Sequence, residues 1–189
     1  MQAIAAWLVA RPQNAVIGLA VTLLLPAPQL TSGVIMVLLV LGQGTKLALI
    51  EACIAASVLL TVSLIFGVSI SSIVTLMAGT GVPVLLLAAL LLGSRSLALT
   101  VQVSVIIAAL TLLGFYIVVV DPVAFWQPYM TMMAELVEQN NLQLNLELLT
   151  AEVMTVSAVL AFWMLYTAGL LLGYALYKRL PQETSEFGR

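Results

Sequence analysis

The chain has 189 residues, of which 63% are hydrophobic and only 7% charged. An ordinary globular protein is about 25% charged, so this composition excludes a soluble fold. The net charge of −2, with six basic residues, argues against nucleic acid as a partner, because no cationic surface is there to neutralise phosphates.

Chemistry-bearing residues are scarce. Histidine is absent, which removes the commonest general base and the commonest transition-metal ligand together. The single cysteine, Cys53, has no partner for an internal disulfide and sits in an apolar run. Gly42-Gln43-Gly44 lacks the third glycine and the strand context of a dinucleotide fingerprint. No Walker sequence, metal-ligand cluster or nucleophile–base pair occurs. These residues do not read as an enzyme, and they imply no metal and no cofactor.

In chain order, Met1 to Ala10 is an apolar stretch with Trp7, too short to span a bilayer. It reads as an interfacial helix on the inner face, ended near Arg11-Pro12. No basic residue precedes its apolar part, which argues against a cleaved signal peptide. A short first span, Gln13 to Leu25, stops at Pro26-Ala27-Pro28. A second short piece, Gly33 to Leu41, follows, and Gly42 to Lys46 turns the chain back. Leu47 to Phe66 is a full span containing Glu51. Ser69 to Leu92 is another, interrupted by Gly79-Thr80-Gly81-Val82-Pro83. Leu97 to Val120 then runs 24 residues without a charge, between Arg95 and Asp121. At ~1.5 Å per residue such a helix more than covers a hydrocarbon core of ~30 Å. After it comes a segment, 121–152, whose Met130, Met133, Val137 and Leu144 recur at helical spacing while Glu135, Glu138, Gln139 and Gln143 occupy other positions. This reads as an amphipathic shelf on the outer leaflet, with Trp126 and Tyr129 suited to the interface. Val153 to Leu176 is the last span, closed by Lys178-Arg179.

The expected fold is therefore all-α: a single transmembrane bundle over 1–180 with about six spans, followed by a polar cytoplasmic tail at 181–189. The charges agree with this count. Arg11, Lys46, Arg95, Lys178 and Arg179 fall on one side, and Asp121, Glu135, Glu138, Glu147 and Glu152 on the other. The positive-inside rule then makes both ends cytoplasmic in a multi-pass protein.

Three runs resemble the bacterial YybS-like integral membrane proteins. They are VLLVLGQGTKLALIEA, GVPVLLLAALLLGSRSLALTVQ and, after the long apolar helix, VVVDPVAFWQPYM. The resemblance covers about Arg11 to Lys178 and rests on hydropathy and scattered residues rather than a catalytic motif. It implies a location in the bacterial cytoplasmic (inner) membrane. It also implies a likeness to the substrate-binding S components of energy-coupling-factor transporters, six-helix bundles with an outward-facing pocket. Family members usually look longer, with further spans after a polar linker like PQETSEFGR, so the chain is by that pattern a truncated form or a short variant.

Two functions are then in play. One is binding or transport of a small molecule, with Gln29, Thr80, Gln102, Tyr116, Asp121 and Trp126 as hydrogen-bonding candidates in an outward pocket; Thr31 and Thr75 belong to the same group. A threonine inside a span equally bonds its own helix backbone. The other is a non-transporting scaffold that packs against a membrane-protein partner. Small residues at Ala48, Ala52 and Ala56, at Gly169 and Gly173, and at Ala6 and Ala10 let helices approach closely; packing within the chain explains them as well. Glu51, the only carboxylate inside a span, lies five residues after Lys46, from where it reaches the inner interface or a neighbouring helix.

Overall fold

The computed structural model describes residues 2–23, 25, 27–67, 69–140 and 150–180. Among them the chain forms α1 (Gln2–Ala10), α2 (Pro12–Leu23), α3 (Pro28–Gln43), α4 (Thr45–Ile65), α5 (Ile70–Ser94), α6 (Leu97–Val118), α7 (Pro122–Gln139) and α8 (Ala151–Tyr177), and no strand. Four of these helices, α4, α5, α6 and α8, are long and apolar enough to cross a membrane. α2 and α3, with 12 and 16 residues, extend only ~18 and ~24 Å at ~1.5 Å per residue, less than a ~30 Å core.

Local chemistry sets most of the boundaries. Pro12 and Pro28 open α2 and α3 at positions where a missing N–H costs nothing. Ser96, Asp121 and Thr150 precede α6, α7 and α8. Each side-chain oxygen accepts from the backbone N–H three residues on, at Leu99, Ala124 and Val153, over 3.3, 3.0 and 3.4 Å. This satisfies donors that the first helical turn leaves orphaned. Between α3 and α4 the chain reverses at Gly44, whose φ of 90° and ψ of 160° lie in a region open essentially to glycine alone.

The chain divides by contacts into two compact units, Met1–Gln102 with Met164–Arg189, and Val103–Trp163. The first is built around α3. From Ser32 to Gly42 only Val34 escapes full burial, because α1, α2, α4 and α5 all pack on this helix. α8 closes on it as well. A Cβ on Gly173 would stand 2.7 Å from Val37 Cβ and 2.9 Å from the Val34 carbonyl oxygen, and one on Gly169 3.3 Å from the Leu30 carbonyl oxygen. The two glycines thus let the backbones of α8 and α3 come together, as small residues do where helices associate by packing rather than by the hydrophobic effect.

Three sequence expectations change here. α1 does not merely lie on a surface: Ala5 and Leu8 are buried in the core cluster, Asn14 donates to the Trp7 carbonyl over 2.7 Å, and Gln43 to that of Val9 over 3.1 Å. α3 begins at Pro28 rather than Gly33, since a proline in the first turn starts a helix and does not stop one. Most informative is α5, which runs unbroken through the expected interruption at Gly79–Pro83. Pro83 has no N–H for the Gly79 carbonyl four residues earlier. The Tyr166 hydroxyl of α8 donates to that carbonyl instead, so the helix continues with its freed acceptor satisfied from a neighbour.

In the second unit, α7 buries no residue and is held by its aromatic first half. Phe115 of α6 meets Phe125 edge-on at 5.3 Å between centroids, and Trp126 stands 5.1 Å from Phe125 and 5.5 Å from Tyr129. Trp126 Nε1 donates to Thr155 Oγ1 of α8 over 2.8 Å. Trp163 Nε1 donates to Ser104 Oγ over 3.1 Å, which ties α8 to α6 as well. Of the segment 121–152 expected as an amphipathic helix, the structure describes α7 as far as Gln139, while Gln143, Leu144 and Glu147 lie outside the described residues.

Candidate functional site

α4 and α5 are rich in small side chains where they face each other, and the space these leave is a cleft in the first unit. Its volume is about 360 Å³, within the range of small-molecule sites. Ala52, Cys53, Ala55, Ala56 and Leu60 of α4 form one wall, and Met77, Ala78, Thr80, Gly81 and Leu85 of α5 the other. Leu19 and Leu23 of α2 and Ser32 and Met36 of α3 complete the lining. Leu49, Cys53, Val74 and Val82 border the cleft and are exposed, so it opens on the outside of the unit.

The hydroxyls in this lining are already engaged. Thr80 Oγ1 donates to the Leu76 carbonyl over 2.8 Å, and Ser32 Oγ to that of Pro28. Both bonds run back to the residue's own helix, as hydroxyl side chains in helices often do. What faces the cleft is therefore hydrocarbon, with little hydrogen-bonding capacity to spare. A polar metabolite would lose its water there without recompense. A hydrocarbon chain loses nothing.

Of the six ligand-binding candidates, only Thr80 lines the cleft. Gln29 stands in the first turn of α3 and Gln102 is exposed on α6. Tyr116, Asp121 and Trp126 belong to the second unit: Tyr116 is exposed against Phe115, Asp121 is the N-cap of α7, and Trp126 bonds Thr155. Thr31 ties α3 to α2 through the Thr22 carbonyl at 3.1 Å, and Thr75 is exposed. The small-residue positions fare differently. Ala52 and Ala56 line the cleft, Ala48 is fully buried, and Gly169 and Gly173 pack on α3 inside the chain.

Glu51 does not reach out to an interface. It is 2% exposed, on the inward stripe of α4 that runs Ala48, Glu51, Ala55, Leu59, Ser63. Neither carboxylate oxygen has a hydrogen-bond partner. Sequence reasoning missed Ser32, Met36, Met77 and Gly81 as lining residues. Among the described residues no group of three histidine, cysteine or acidic side chains comes together to hold a metal ion. Compared with known proteins, the chain matches no family model, no curated protein and no solved structure.

Proposed function

We propose that this is a six-span integral membrane protein of the cytoplasmic membrane that binds a hydrophobic small molecule in the α4–α5 cleft, in the manner of a transport-related binding subunit. The observation that carries the reading is the cleft itself, about 360 Å³ lined by hydrocarbon and open on one side. α2 and α3 are the fifth and sixth spans, short ones, with α3 enclosed by protein. The reading keeps the bundle and span count that the sequence resemblance to YybS-like proteins implies. The apolar lining moves the ligand from a polar, vitamin-like molecule toward one with a hydrocarbon body. A scaffold that docks through Gly169 and Gly173 draws no support from those residues, because that face is already used by α3.

Gly81 gives a clean test. It lines the cleft, and a Cβ added there meets nothing within 4 Å. Gly81→Phe is therefore expected to occupy the cleft at no cost to the backbone at its Cβ, and replacing a mid-helix glycine by phenylalanine gains about 0.4 kcal/mol in helix propensity. Native mass spectrometry of the protein released gently from its own membrane is expected to show a hydrophobic adduct. That adduct should vanish in Gly81→Phe while the melting temperature holds or rises. A hydrophilic adduct indifferent to Gly81→Phe would overturn the reading.

A further inference from the structure

Glu51 is a carboxylate enclosed in the first unit, and neither of its oxygens has a hydrogen-bond partner. α4 packs against α2, α3 and α5; none of the three carries an ionisable side chain along its length, and the one cation at an end of them is Arg95, the C-cap of α5. On α4 itself the one cation, Lys46, is exposed and sits five residues back, roughly 140° round the helix at ~3.6 residues per turn. Buried polar groups in proteins are nearly always hydrogen-bonded, and an isolated buried carboxylate is far costlier than a neutral group. Residues of this kind at membrane depth mark sites where a ligand or ion is handled.

The cleft lies alongside. Ala52, one residue on from Glu51, and Ala55, one turn on along the same stripe, both line it, although Glu51 does not. The Glu51 side chain has three rotatable bonds and alanines for its neighbours on that side. A metal ion is a poor match, because calcium and magnesium ask for six or more oxygens and no second acidic group, histidine or cysteine cluster is at hand among the described residues. An ammonium group needs only one carboxylate and gains a charge-assisted hydrogen bond from it.

We propose that Glu51 is the cation-recognising group of the cleft, and that the ligand class is a cationic amphiphile: an ammonium head that reaches Glu51 on a hydrocarbon body that fills the cleft. This rests on the hydrophobic-ligand reading and narrows it to one chemical class.

The test compares dodecylamine with dodecanol, which share a chain and differ in head group, on the protein in nanodiscs of zwitterionic lipid at neutral pH. Binding is followed by titration and native mass spectrometry. The amine is expected to bind at least about tenfold more tightly than the alcohol, the scale of one hydrogen bond to a charged group. In Glu51→Gln the two probes should bind alike. Should that variant fail to accumulate, Glu51→Asp, which keeps the charge but draws it back by one methylene, takes its place and should narrow the gap between the two probes. Equal binding of both probes by the wild type, with both reduced in Gly81→Phe, would overturn the role of Glu51 and leave the cleft reading standing. No binding of either probe would overturn both. A preference for the amine that survives in Glu51→Gln would assign it to another group and sink the inference.

Discussion

Pro83 takes a donor out of the middle of α5, and Tyr166 supplies one from α8. At the scale of single residues this pair makes a quantitative claim. Tyr166→Phe is expected to cost about 1 kcal/mol, the usual net value of one hydrogen bond. In a Pro83→Ala background the alanine N–H can bond the Gly79 carbonyl itself, so the same substitution should cost close to nothing. Unfolding of the four proteins in detergent micelles completes the cycle. Equal costs in both backgrounds would mean that the tyrosine does not serve the proline. The same scale separates spent from unspent polar groups. Thr80 and Ser32 satisfy themselves on their own helices, whereas Glu51 finds no donor.

Among the helices, α3 is the one on which the first unit depends. It is too short to look like a span and yet is the most enclosed, and α8 approaches it through Gly169 and Gly173. Gly173→Ala would press a methyl into Val37 Cβ and the Val34 carbonyl, neither of which yields cheaply. A loss of about 1–3 kcal/mol is expected, typical of overpacking. Gly169→Ala meets its nearest backbone atom at 3.3 Å and should cost distinctly less. Thermal unfolding of the two variants gives the order; a harmless Gly173→Ala would show that the helices are farther apart than described. α7 is the opposite case. With no buried residue, it owes its position to an aromatic cluster and one indole hydrogen bond, and its outward apolar side chains have the character of an interfacial helix.

For the whole molecule, the arrangement of charge gives the testable statement. Lys46 and Arg95 are expected on one side of the membrane and Asp121 on the other, with α6 crossing between Arg95 and Asp121. In a Cys53→Ala background, Lys46→Cys and Arg95→Cys should react with an impermeant maleimide only from the cytoplasmic side. Asp121→Cys should react only from outside. Labelling of Arg95→Cys and Asp121→Cys from the same side would mean that α6 does not cross, and would remove the six-span topology with it.

The sequence by itself determined what is local. The helical class, the turn around Gly44 and the four long apolar runs that become α4, α5, α6 and α8 all follow from composition, run length and a glycine-rich break. Each of these depends on residues within a few positions of one another. Tertiary structure alone decided that α3 is the centre, that α5 passes through Pro83, that Ala52, Ala56 and Gly81 border a cleft, and that Glu51 is enclosed. The physical reason is the solvent. In water, apolar periodicity marks the face that will be buried, but a helix destined for hydrocarbon is apolar all round. Leu39 at the core and Leu110 on the outside carry the same signal, though one is fully buried and the other 60% exposed. Which face meets protein is settled by small residues and hydrogen bonds between helices distant in sequence, and those partners come together only in the folded chain.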